Sequence, residues 1–137
     1  MTLNTPNTRE ITHNVEQNFQ ELDLKGAYII TPFFATDTRG CLIKDYNINS
    51  FKQAGINHEL KETFYTVNKR GVIRAIHFQL EKPQPKLMRC ITGRVYYVIV
   101  DLRKNSETFG QWRHCILSGD EPLCVSSCWL WARISSA

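Results

Sequence analysis

The sequence has no long hydrophobic run, no internal repeat and no low-complexity segment. No apolar stretch is long enough to span a bilayer and none follows Met1, so we expect neither a membrane-spanning segment nor a secretory leader. The cysteines are odd in number and irregularly spaced: Cys41, Cys90, Cys115, Cys124 and Cys128. This usage predicts free thiols in a reducing compartment and therefore a cytoplasmic protein.

A dense basic stripe is also missing. Lysine and arginine total 17 against 13 aspartate and glutamate, which gives a net charge of +4. Nucleic-acid binders usually carry a stronger positive face. Most of the excess falls in the central third, at Arg70, Arg74, Lys86, Arg89, Arg94 and Arg103. A site for a diphosphate or another small anion needs only a few arginines, so the charge pattern favours a small anionic ligand over nucleic acid.

A metal cluster has little support. His114-Cys115, followed by Cys124 and Cys128, contains suitable ligand types. The spacing matches no zinc pattern, however, and scattered thiols are the simpler interpretation.

What the sequence does contain is a series of short β-prone runs separated by glycine and asparagine turns. The predicted strands are 26–32, 41–46, 58–67, 71–80, 86–92, 94–102 and 111–118. A short helix is predicted over 49–55, with Asn49 or Ser50 as its N-cap, and Gly93-Arg94 predicts a tight hairpin turn. Residues 1–22 are polar and predict a mobile arm or short helix. The pattern indicates one all-β domain, an antiparallel sandwich or barrel.

The most informative run is Arg70–Gln79, which is followed by Lys86–Cys90. In a regular strand Arg74 would point to one face, while His77 and Gln79 point to the other. Lys86 could place its ammonium group, a permanent positive charge at pH 7, beside His77 and Gln79. A base beside a cation suits abstraction of a proton next to a carbonyl, because negative charge then develops on the carbonyl oxygen.

Several ordered segments resemble the dTDP-4-dehydrorhamnose 3,5-epimerases, which act on nucleotide-linked 4-keto-6-deoxy sugars. The matching segments are Asp37-x-Arg39-Gly40, Ala54-Gly55-Ile56, Gly71–Gln79, Lys86–Cys90, Gly93-Arg94-Val95, Val100–Arg103, Ser106-x-Thr108-Phe109-Gly110-x-Trp112 and Leu117-Ser118. Agreement in so many ordered places is stronger than any single motif.

The resemblance implies the fold and the domain organisation. It implies a cupin-type antiparallel jelly roll, incomplete at its C-terminal end, with a short helix near 49–55. We expect a polar arm over 1–22, the epimerase-like domain over 23–123 and an aberrant tail over 124–137. The family continues with a Pro-x-Gly-x-x-His-Gly segment, a catalytic tyrosine and an orienting aspartate. Residues 124–137 differ from this continuation and are compatible with a frameshift. Loss of the family's last strands would leave sheet edges exposed.

The resemblance also implies residue roles. His77 would be the general base that removes the protons at carbons 3 and 5, and Lys86 would stabilise the enolate oxygen. The residues that it assigns to substrate binding are Arg39, Leu42, Glu62, Arg74 and Gln79. Arg39 and Arg74 would contact the nucleotide diphosphate and sugar. From the residues alone, Arg39 could instead be a turn residue and Arg74 half of a buried ion pair.

Metal-dependent chemistry is not expected. Metal-binding cupins carry a Gly-x5-His-x-His motif that is followed by a ligand glutamate. Here Gly71-x5-His77-Phe78-Gln79 keeps one histidine, and Lys86 stands where the glutamate would be. One imidazole, an amide and an ammonium make no stable metal site, so we expect no cofactor.

Three functions stay open from the sequence. The first is a cytoplasmic, homodimeric sugar-nucleotide epimerase in deoxysugar or rhamnose biosynthesis. The second is a catalytically impaired cupin that binds a sugar nucleotide or pairs with an intact homologue. The third is an epimerase that inverts carbon 3 or carbon 5 alone. None of them involves nucleic acid or a membrane.

Overall fold

The computed structural model describes residues 13–79, 81–121, 124–127 and 130–136. In chain order its elements are β1 (His13–Val15), β2 (Asn18–Glu21), β3 (Ala27–Thr31), β4 (Phe33–Asp37), β5 (Gly40–Lys44), α1 (Ile48–Gln53), β6 (Ile73–His77), β7 (Lys86–Arg89), β8 (Arg94–Asp101), β9 (Trp112–Ser118), β10 (Cys124–Ser127) and β11 (Leu130–Ser136). Among the described residues, no helix is long and apolar enough to cross a membrane.

The strands form three antiparallel sheets. The β10 sheet has the order β2-β3-β10-β7, and the β11 sheet has the order β6-β11-β8-β9. A smaller sheet has the order β1-β4-β5. Every pairing is antiparallel, as the sequence predicts for an all-β domain.

The core lies between the two four-stranded sheets. On β8 the buried side chains alternate, because Tyr97, Ile99 and Asp101 point to one face of the pleated strand. Tyr97 and Ile99 pack in one cluster with Ala27 of β3 and Val125 of β10. The β10 and β11 sheets therefore face each other across a shared apolar interior.

Helix α1 covers the outer face of the β10 sheet. Phe51 is buried there with Ile30 and Ile56, and its ring meets that of Phe19 edge-on at 5.1 Å between centroids. The N-cap is Asn47, not the predicted Asn49 or Ser50, because the Asn47 side chain accepts hydrogen bonds from the first free backbone N–H groups.

Two predictions about strand pairing were also wrong. Residues 58–67 form no strand, although their composition is β-prone, because no neighbouring strand pairs with them. The predicted hairpin at Gly93-Arg94 is instead a crossing between sheets, since β7 belongs to the β10 sheet and β8 to the β11 sheet. Gly93 has φ +76°, and its carbonyl oxygen accepts a hydrogen bond from Gly119 N.

Both chain ends contribute strands. Residues 1–12 of the predicted arm lie outside the described residues, whereas β1 and β2 form strands where a short helix was one expectation. The Cα register aligns Phe19 of β2 with Ile30 of β3. In the predicted tail, β10 inserts between β3 and β7, and β11 inserts between β6 and β8.

A buried carboxylate organises the loop between β8 and β9. Asp101 is fully buried and accepts hydrogen bonds from Arg103 Nη2 at 2.7 Å, Ser106 Oγ at 2.6 Å and Thr108 Oγ1 at 2.6 Å. Burial alone would raise the pKa of Asp101, but these hydrogen bonds outweigh it and hold the pKa well below its usual range.

We expect Asp101→Asn to lower the free energy of unfolding by about 3 kcal/mol or more, because the neutral amide cannot replace the buried carboxylate in its ion pair with Arg103. Urea unfolding at pH 7 measures this. Glu107→Gln, an exposed change in the same loop, is the control and should shift stability by no more than about 0.5 kcal/mol. Equal effects of the two changes would contradict the anchoring role.

The same carboxylate gives a pH dependence with a defined sign. Because the folded-state pKa of Asp101 is lowered, its stabilisation is fully present above the unfolded carboxyl pKa of about 4 and is lost as the pH falls below it. Wild-type protein should therefore lose more stability on acidification than Asp101→Asn does. If the free energies of unfolding of the two proteins fell by the same amount between pH 6 and pH 3, this expectation would be contradicted.

Thiol accessibility gives a second test of the fold. Cys41 is exposed, whereas burial raises the pKa of Cys115 to about 11 and that of Cys124 to about 12. Iodoacetamide at pH 8 should label Cys41 well before the other two, since the thiolate is the reactive form. Peptide mass spectrometry resolves the sites, and Cys115 and Cys124 should remain slow in Cys41→Ser as well. Early labelling of Cys124 would mean that β10 is not buried as described.

Candidate active site

His77 ends strand β6 and faces the interior of the sandwich. Ala132 of β11 is in register with His77 on one side and with Ile99 of β8 on the other. Residues in one row of an antiparallel sheet point to the same face. Since Ile99 is buried in the core between the sheets, His77 shares the inner face of the β11 sheet.

A β-bulge places Arg74 on that same face. Ile134 of β11 is in register with Arg74 and with the buried Tyr97, and the register shifts between Ala132 and Ile134. Three steps along β6, from Arg74 to His77, therefore oppose two steps along β11. Regular alternation predicted opposite faces for Arg74 and His77, and the extra residue in β6 is the reason that this prediction was wrong.

Lys86 begins strand β7 and also faces the interior, from the opposite sheet. Ser127 of β10 is in register with Lys86 on one side and with Ala27 on the other. Ala27 is fully buried in the core, and Met88, two residues beyond Lys86, packs against the same core. Lys86 and His77 thus approach one interior from two different sheets.

Both residues sit at open positions of their sheets. In the part of the chain that the structure describes, β6 is an edge strand of the β11 sheet and β7 is an edge strand of the β10 sheet. His77 is exposed and Lys86 is half-buried. Among the described residues, neither side chain has a hydrogen-bond or ion-pair partner. The His77 imidazole and the Lys86 ammonium are therefore available to contact a ligand.

The other predicted site residues lie in different places. Arg39 is exposed in the β4–β5 turn, where its Nε donates to Asp37 Oδ2 at 2.9 Å. Leu42 follows on β5, and Glu62 lies in the extended surface segment between α1 and β6; both are exposed. Gln79 is exposed just beyond β6. By register, Arg74, His77 and Lys86 face the same interior, whereas Arg39 and Glu62 lie on exposed segments and make no contact with them among the described residues.

One residue of the neighbourhood was missed from the sequence. Asn68 Oδ1 accepts a hydrogen bond from Arg74 Nε at 2.7 Å. The only sequence signal is a polar side chain placed before a glycine turn and an arginine strand, and that pattern is too common to identify a contact. Among the described residues, no group of three or more histidine, cysteine or acidic side chains could hold a metal ion.

Comparison with known proteins identifies the relatives of this arrangement. Residues 21–126 match the family model of dTDP-4-dehydrorhamnose 3,5-epimerase. The epimerase of Methanothermobacter thermautotrophicus is 42% identical over 105 residues, which cover 77% of this chain and 57% of that relative. The epimerase of Mycolicibacterium smegmatis is 38% identical over 100 residues, which cover 72% of this chain and 50% of the relative. The chain thus spans about half the length of these curated relatives.

Solved structures show the same fold. A dTDP-6-deoxy-D-glucose-3,5-epimerase from Legionella pneumophila, in complex with dTDP-4-keto-L-rhamnose, superposes with a TM-score of 0.83 at 27% identity, over 88% of this chain and 65% of that one. An epimerase from Bacillus anthracis with TDP and PPi bound gives a TM-score of 0.81 at 29% identity, over 88% of this chain and 71% of that one. The fold is therefore the cupin-type jelly roll, and the chain belongs to the dTDP-4-dehydrorhamnose 3,5-epimerase family.

Proposed function

We propose that the protein epimerises a nucleotide-linked 4-keto-6-deoxy sugar at carbon 3, carbon 5 or both, as in deoxysugar and rhamnose biosynthesis. The observation that carries the proposal is the pair His77 and Lys86, which face one interior from two sheets in a chain of this family. A base and a cation on opposite walls can hold a ketone between them.

In the proposed reaction, His77 is the general base and Lys86 is the electrophilic partner. The imidazole takes the proton from the carbon next to the ketone, and the C–H electron pair forms the enolate. The Lys86 ammonium stabilises the negative charge that develops on the carbonyl oxygen, which is usually the largest contribution to such catalysis. Protonation of that carbon by water on the opposite face inverts the centre and neutralises the enolate, and the His77 imidazolium then returns its proton to solvent.

Substrate binding is assigned to the cationic and polar groups around this pair. We propose that Arg74 contacts the diphosphate, since it shares the inner face with His77 and its guanidinium suits phosphate oxygens. Gln79, Glu62, Leu42 and Arg39 are proposed to contribute further contacts to the nucleotide sugar. The relatives with dTDP-4-keto-L-rhamnose and with TDP and PPi support this class of ligand.

We further propose a cytoplasmic homodimer. Several large apolar side chains on β6 and in the segment before it are exposed, among them Phe64, Tyr65, Ile73, Ile76 and Phe78. Association with another chain would remove this apolar area from water. The free thiols of the described cysteines are consistent with a reducing compartment.

A second candidate function is binding without turnover, alone or paired with an intact homologue. It is favoured by one observation: among the described residues, no carboxylate contacts His77, so nothing there orients the imidazole or stabilises its protonated form. A ligand could still bind through Arg74 and Lys86.

Hydrogen exchange at the sugar separates these functions. In D2O, NMR should show deuterium entering carbon 3, carbon 5 or both of dTDP-4-keto-6-deoxyglucose, and the labelled position reports which centre reacts. We expect His77→Asn to slow the exchange by about 100-fold or more. For Lys86→Met we expect a loss of about 100- to 1,000-fold.

His114→Asn is the matched control. His114 is in register with Val98, whose neighbours Tyr97 and Ile99 point to the core, so His114 lies on the outer face of the β11 sheet. This change should leave exchange within about twofold of wild type. If wild-type protein binds dTDP but exchanges no proton, the binding function replaces the epimerase. If it does not bind dTDP, both proposals fail.

A further inference from the structure

The side chain of Arg74 is held by one specific contact. Its Nε donates to Asn68 Oδ1 at 2.7 Å, which is a short and well-formed hydrogen bond. Among the described residues, no carboxylate lies within ion-pair distance of Arg74. The guanidinium is thus anchored by a neutral amide, and no carboxylate of the described residues neutralises its positive charge.

The local backbone brings these two residues together. Val72 N donates to Lys69 O at 3.3 Å, and this turn reverses the chain between Asn68 and strand β6. Gly71 has φ +80°, a conformation that side-chain-bearing residues rarely adopt. The turn therefore returns Asn68 alongside Arg74, six residues further on.

The contact decides which edge of the guanidinium is available. A guanidinium can offer an anion either Nε with one terminal nitrogen or both terminal nitrogens, Nη1 and Nη2. Since Asn68 occupies Nε, the terminal pair is left. That pair presents two parallel N–H groups, which match two oxygens of a phosphate.

We propose that Asn68 is a positioning residue, which holds Arg74 so that Nη1 and Nη2 contact the diphosphate of the nucleotide sugar. The inference rests on the proposed function, because it needs a diphosphate ligand at Arg74. Asn68 itself does not touch the ligand. It restricts the rotamers of a long side chain before binding, so less conformational entropy is lost when the anion arrives.

The binding test uses the full chain, with dTDP and thymidine as probes in isothermal titration calorimetry. We expect Asn68→Ala to weaken dTDP binding by about three- to tenfold, because an unrestrained arginine must be ordered on binding. Thymidine has no phosphate, so its affinity should not change. Asn105→Ala, an exposed asparagine in the β8–β9 loop, is the matched control and should leave both affinities unchanged.

A double-mutant cycle distinguishes positioning from a general structural role. If Asn68 acts through Arg74, Asn68→Ala should have no further effect on dTDP binding in an Arg74→Ala background. An equal loss in both backgrounds, or equal losses for dTDP and thymidine, would overturn the proposal. Failure of wild-type protein to bind dTDP would overturn the proposed function and this inference with it.

A spectroscopic measurement tests the contact without a ligand. The Arg74 Nε–H signal, identified by its loss in Arg74→Ala, should exchange slowly with water in wild-type protein. In Asn68→Ala it should exchange faster, and the remaining backbone spectrum should show that the variant is folded. Unchanged exchange would show that Asn68 does not hold Arg74, whatever the affinities are.

Discussion

Strand β11 hydrogen-bonds to β6 on one side and to β8 on the other, and this double pairing decides which side chains of β6 reach the interior. Ile99 and Tyr97 of β8 are fixed by the core. Because β11 is in register with both β8 and β6, His77 and Arg74 point to the same face as Ile99 and Tyr97. The candidate site therefore depends on backbone hydrogen bonds two strands away from it, and a one-residue slip of β11 would turn His77 to the outer face.

The β-bulge in β6 matters for the candidate site because it interrupts the alternation of side chains between the two faces of the strand at one point. A regular strand cannot send residues three positions apart to one face. With one extra residue opposite β11, an arginine and a histidine at that spacing both face the interior. A proton-accepting group and an anion-binding group can then serve one ligand from a single short strand.

Much of the fold could be predicted because it depends on local alternation. The run Arg94–Asp101 alternates buried and partly exposed residues in the structure, as its β-prone sequence indicates, and the short helix needed only a cap and a glycine stop. The pairing partners could not be predicted. The β propensity of the sequence predicts that β7 and β8 are strands. It does not predict that they belong to different sheets, because strand partners depend on which apolar faces pack together. His77 and Lys86 were predicted from their motif and remain predictions, whereas the contact of Asn68 with Arg74 was missed because it depends on the turn at Gly71, which no spacing rule reveals.

Within the described ranges, the two strands that carry His77 and Lys86 each have a single hydrogen-bonded neighbour in their sheets. Separating either one from its sheet breaks one ladder of backbone bonds, whereas Tyr97, Ile99 and Val125 of the core cluster belong to other strands. The free energy of such local opening is lower than that of global unfolding. The edges that carry His77 and Lys86 should therefore open more readily than the strands that hold the core between the two sheets.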